Sequence, residues 1–116
     1  MNVRTPIAAL SAWSVAALLA TAAAPALAVD ADAAQALAKK NDCFKCHALD
    51  KEKKGPSYKK IAEKYKGKPE GQEKLIKNFT TGPKVKLDDG TEEDHKIVNT
   101  KDPAVLKNLA DWILSQ

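Results

Sequence analysis

Two thiols and an imidazole stand together in the run Cys43-Phe44-Lys45-Cys46-His47, a spacing that joins a pair of covalent anchors to a metal ligand. Each thiol can form a thioether with one of the two vinyl groups of a haem, and the imidazole that follows is then held beneath the macrocycle, in reach of its iron. Three other chemistries compete for these residues. A thioredoxin-like redox pair uses the same cysteine spacing but needs a βαβ setting, and the chain is rich in Ala, Lys, Glu and Leu with almost no alternating β-branched runs. A structural zinc ion needs about four ligands in tetrahedral array; besides Cys43, Cys46 and His47 the chain offers only the distant His95, and Cys46 and His47 are adjacent. A disulfide between Cys43 and Cys46 closes a very small loop and leaves His47 without a role. Covalent attachment of one haem c accounts for all three residues.

The elements that must position them begin after a leader. Arg4 gives a positive start, Ile7 to Ala24 an apolar run, and Ala26-Leu27-Ala28 a small-x-small cleavage site, so residues 1–28 are expected to be a secretory signal peptide. An uncleaved anchor is the alternative, because the apolar stretch approaches spanning length; its Ala-rich composition and Pro25 before the cleavage box argue for removal. No cysteine follows the box to carry a lipid. Export sends the remaining domain, residues 29–116, to an oxidising compartment, and the periplasm is the expected location.

That domain is near the size at which an apolar core alone is marginal. Its aromatic side chains are Phe44, Tyr58, Tyr65, Phe79 and Trp112, so a large flat cofactor becomes the main core element. The whole chain has a formal charge of +4, with Arg4 in the leader, which is too mild to indicate a nucleic-acid partner.

Helical signals run through the domain. Asp32 to Asn41 reads as a short first helix, with Asp32 as its candidate cap and first-turn acid. Ser57 caps a second with Tyr58, Ile61, Ala62 and Tyr65 on one stripe. Leu75, Ile76 and Phe79 mark a third that stops near Gly82-Pro83. Asp102-Pro103 opens the last, with Val105, Leu109, Trp112 and Ile113 as its apolar face. Thr80 to Lys101 lies between the third and last helices as a long loop with little helical period, a length that in so small a domain is functional or disordered. The reading is an all-α unit of about four helices, without internal repeat and as a monomer.

Over essentially all of this domain the sequence resembles the small class I bacterial c-type cytochromes of the cytochrome c-551/c-552 kind. The matching text is Lys40-Asn41-Asp42 before the haem motif, Gly55-Pro56-Ser57-Tyr58, Ala62 and Tyr65, and the ending Leu109-Ala110-Asp111-Trp112-Ile113-Leu114-Ser115. The resemblance implies the small class I cytochrome c fold with crossing terminal helices, an edge-exposed haem and single-electron transfer. It also implies that Pro56 presents its carbonyl to the outer nitrogen of His47, fixing that ring's tautomer.

One departure matters. The family's sixth iron ligand is a methionine in the long loop, whereas the only methionine here is Met1, which signal cleavage removes. His95 falls in that loop about where the methionine would, so bis-histidine ligation by His47 and His95 is the expectation. The competing reading makes His95 an exposed residue beside Glu92, Glu93 and Asp94, acids that favour its charged, non-ligating form. The iron is then open, bound by water, or taken by Lys84, Lys86, Lys96 or Asn99.

Two imidazoles leave no open position and suit an electron carrier; a displaceable His95 on a long loop suits a haem protein that binds oxygen, nitric oxide or carbon monoxide. Catalysis in its own right is disfavoured, since no distal Arg/His pair or second haem motif is present, although the chain could serve another oxidoreductase as its electron-transfer partner. Lys45, Lys51, Lys53, Lys54, Lys59, Lys60, Lys64, Lys66 and Lys68 crowd the stretch after the motif. They either steer an acidic redox partner to the haem edge or form a solvated face.

Overall fold

Asp30, extended at φ −86° and ψ 93°, turns its carboxylate back to accept the Ala33 N–H and so starts α1 (Ala31–Lys40). Asp32 is not the cap but is the first-turn acid, where its negative charge complements the helix dipole. The structure is a computed structural model describing residues 28–116; the expected signal peptide falls, but for Ala28, outside the described residues. No described helix is long and apolar enough to cross a membrane.

Beyond α1, Asp42 takes a left-handed conformation at φ 60° and delivers the chain into a short 3-10 turn, Cys43–Lys45. Ser57 caps α2 (Tyr58–Tyr65) by accepting the Lys60 N–H. α3 (Gly71–Thr81) ends at Gly82, whose φ of 59° closes the helix in the left-handed region that glycine adopts without steric cost. α4 (Pro103–Leu114) opens as the sequence indicates, with Asp102 accepting the Ala104 N–H and proline in the first turn.

The segment between α3 and α4 is more ordered than its lack of helical period suggests. β1 (Lys84–Lys86) pairs antiparallel with β2 (Glu92–Asp94), Val85 opposite Glu93, and the tip turns through Gly90 at φ 85°. Helical periodicity cannot reveal so short a ribbon, because three-residue strands with one half-buried residue carry almost no alternation.

α4 is the hub, packing against α1, α2 and α3. Its crossing with α1 is made of small side chains: Ala34 and Ala38 on one helix and Ala110 on the other, the last two at 0% exposure. The inward face of α4 departs from expectation at one position. Val105 is 37% exposed and Leu106 is buried in its place, joining Leu109, Ala110 and Ile113 on the core-facing side of the helix. The N-terminal end is fastened by a reciprocal pair: the Asp30 N–H donates to Asn108 Oδ1 at 2.8 Å and Asn108 Nδ2 donates to the Asp30 carbonyl at 2.9 Å.

Candidate functional site

The 3-10 turn places Cys43 and Cys46 at one wall of a cavity of about 620 Å³. Both cysteines are free and half-buried. Leu75 and Phe79 of α3 and Leu109 and Ile113 of α4 contribute apolar lining.

His47 follows directly and its backbone N–H donates to the Cys43 carbonyl at 3.0 Å. Its Nδ1 lies 2.6 Å from the carbonyl oxygen of Pro56, so Nδ1–H donates there and the lone pair is left on Nε2. The expected Pro56 contact is thus present in the structure. Gly55 makes room for it: a Cβ at that position would stand 2.8 Å from His47 Cε1 and 3.1 Å from Nδ1. Burial above all, helped by the facing His95 and opposed by the Pro56 carbonyl, holds His47 below the ordinary imidazole value. The neutral form is the one that can bind a metal.

His95 leaves the end of β2 and is held from three directions. Its backbone N–H donates to the Pro83 carbonyl at 2.9 Å. A Cβ at Gly82 would meet the His95 carbonyl at 2.9 Å, so glycine at the α3 terminus also permits the approach of this segment. Its ring Nδ1 lies 2.8 Å from the Lys96 carbonyl, the same arrangement as at His47. The two rings are 6.0 Å apart, centre to centre, at 44° between planes.

These residues fit a haem. With metal–imidazole bonds of about 2.0–2.1 Å, two rings on opposite sides of one ion have centres roughly 6 Å apart. The cavity volume lies within the range of about 300–1,000 Å³ common for cofactor sites. Both cysteines and several apolar side chains of α3 and α4 line it.

Tyr58, Phe44 and Trp112 back the proximal side. Tyr58 meets His47 at 5.4 Å, Phe44 at 5.7 Å and Trp112 at 5.1 Å between ring centres. Burial pushes the Cys43 thiol up, with the Tyr58 hydroxyl hydrogen-bonded to it and working the other way; burial likewise raises the Tyr58 phenol. The sequence placed Tyr58 on a core stripe without indicating that it touches His47. The only signal was its position in the Gly55-Pro56-Ser57-Tyr58 text.

The charges around the mouth are mixed. Lys54 pairs with Glu93 at 3.6 Å, Lys84 with Asp94 at 2.8 Å, and Lys60 with Glu52. Lys53 Nζ donates to the Phe44 carbonyl at 2.7 Å. Two acids of the ribbon are thus paired, Glu93 with Lys54 and Asp94 with Lys84 of the facing strand.

This fold and cavity are those of a class I cytochrome. The cytochrome c family model matches residues 31–116, and the chain belongs to that family; its cofactor is covalently bound haem c. Class I members are electron carriers, not enzymes, and typically work in the periplasm. The chain is similar to the class 1 cytochrome MtoD from Sideroxydans lithotrophicus ES-1, with 60% identity and a TM-score of 0.72 over 76% of this chain and 97% of that one. It is also similar to wild-type cytochrome c552 from Nitrosomonas europaea, with 36% identity and a TM-score of 0.56 over 70% of this chain and 96% of that one. No match was found among curated proteins.

Proposed function

We propose that residues 29–116, released from a signal peptide at 1–28, act in the periplasm as a single-electron carrier whose haem c is tethered by Cys43 and Cys46 and ligated by His47 and His95. The observation that carries this reading is the 6.0 Å separation of the two imidazoles, each with Nδ1 occupied by a backbone carbonyl and Nε2 free to ligate. The sequence adds that no methionine other than Met1 exists to take the sixth position.

The haem supplies a one-electron iron couple. The chain's residues would hold it: the Pro56 and Lys96 carbonyls fix both ring tautomers, apolar side chains of α3 and α4 would line its pocket, and the two thiols would tether it. Two nitrogen donors would leave no position for an added ligand, and an unchanged ligand set would keep reorganisation small. The exposed lysines at the mouth, Lys64 and Lys86 among them, suit a redox partner with an acidic docking surface, and reduction by such a partner slows as salt rises.

Absorption spectra of the purified holoprotein test the ligand set. Low-spin spectra in both oxidation states, unchanged by carbon monoxide, are expected. Prompt formation of a carbon monoxide complex overturns the bis-histidine carrier and favours a small-ligand-binding haem protein.

A further inference from the structure

The His47 ring is held on three sides. Pro56 takes the Nδ1 edge at 2.6 Å, and the missing Cβ of Gly55 leaves room for the Cε1 edge. Tyr58 lies beside the ring, with centres 5.4 Å apart and 35° between planes. A single hydrogen bond at Nδ1 stops the ring from turning over but leaves it free to swing about that bond. A wall beside the ring is what limits the swing.

Tyr58 is suited to be that wall because it is buried and packed by its neighbours. It is 2% exposed, begins α2 directly after the Ser57 cap, and its backbone N–H is bonded to the Ala48 carbonyl at 2.9 Å. Edge-on contacts hold its ring from Phe44 at 81° and Trp112 at 64°, and Phe44 and Trp112 meet each other at 6.3 Å. The terminal helix is thereby connected through Trp112 and Tyr58 to His47. The two residues before Tyr58 complete the arrangement, since Pro56 supplies the carbonyl and Ser57 the cap. One short segment thus orients His47 both by hydrogen bond and by packing.

We infer that Tyr58 is a positioning residue for the proximal ligand: its ring sets the rotation of the His47 imidazole and excludes water from that side of the cofactor. The orientation of an axial imidazole shapes the electronic anisotropy of the iron, and solvent exposure lowers the potential by favouring the more charged oxidised state. The inference rests on His47 as the proximal ligand.

The test compares holoproteins carrying Tyr58→Phe and Tyr58→Leu. The leucine variant is expected to show a lower reduction potential and a changed ferric electron paramagnetic resonance anisotropy, while the phenylalanine variant keeps the parent values of both. A leucine variant with parent potential and anisotropy overturns the inference, whatever its melting temperature, because Tyr58 then only fills the core. Equal shifts in both variants also overturn it, since the hydroxyl beside Cys43 and not the ring is then responsible. If the leucine variant yields no folded holoprotein, Trp112→Phe decides: altered anisotropy supports the inference and parent anisotropy overturns it. Paramagnetically shifted His47 ring resonances in the parent protein test the underlying ligand assignment separately; their absence defeats that assignment and the inference with it.

Discussion

His47 and His95 face each other across the cavity with ring centres 6.0 Å apart, although one follows a 3-10 turn near the start of the domain and the other leaves a β-ribbon late in it. Both use Nδ1 on a neighbouring carbonyl, Pro56 for one and Lys96 for the other. In each ring the Nδ1–H donates to that carbonyl, which leaves the lone pair on Nε2.

Replacing His95 by methionine should raise the reduction potential, because a thioether donates less than an imidazole. The expected rise is on the order of a hundred millivolts, well inside the roughly 0.8 V that axial ligands span. Potentiometric titration of the His95→Met holoprotein measures it, and an unchanged or lower potential would count against His95 as a ligand. His95→Ala should instead open the site to carbon monoxide.

Gly55→Ala puts a methyl 2.8 Å from His47 Cε1 and 3.3 Å from the Cys46 carbonyl. Neither the ring, tied to Pro56, nor the backbone can yield cheaply, so a loss of about 1–3 kcal/mol is expected. Denaturant unfolding of the holoprotein, followed at the haem absorption band, should show the midpoint fall. A midpoint at the parent value would mean that the His47 ring has room to move.

Ala38→Leu tests the crossing of α1 and α4. Ala38 and Ala110 are both fully buried there, and a larger side chain must push the helices apart at a cost of about 1–3 kcal/mol. Thermal unfolding by circular dichroism reads the effect; parent stability would show that the helices are not closely apposed at Ala38.

Asn41 joins two distant segments. Its Nδ2 donates to the Leu37 carbonyl at 2.9 Å and its Oδ1 accepts the Asn99 N–H at 3.0 Å. Asn41→Ala should cost about 0.5–1.5 kcal/mol and speed hydrogen exchange at Asn99, a few residues beyond His95. Exchange rates at the parent value would remove Asn41 as a brace of that segment.

Local chemistry made much of this protein legible in its sequence. Asp102-Pro103, Ser57 and Gly82 bound their helices because capping depends on residues a few positions apart. The Cys43, Cys46 and His47 grouping is legible for the same reason, since its chemistry lies within one turn of chain. The α1 cap was misplaced by two residues because Asp30 and Asp32 are equally good caps on paper, and the long-range bonds of Asp30 to Asn108 hold Asp30 in the extended conformation a cap requires. Val105 and Leu106 are equally apolar, and only the direction from which α1, α2 and α3 approach α4 decided which is buried.

The sequence by itself determined the haem attachment motif, the four helices and the lack of any methionine beyond Met1. Tertiary structure decided what stands opposite His47. A histidine beside three acids can be a solvated loop residue or face into the cavity, and the choice depends on the β1–β2 ribbon, the Pro83 carbonyl and the close approach allowed by Gly82. It also decided which rings Tyr58 meets, those of His47, Phe44 and Trp112, because helical periodicity fixes that a residue points inward but not what it touches there.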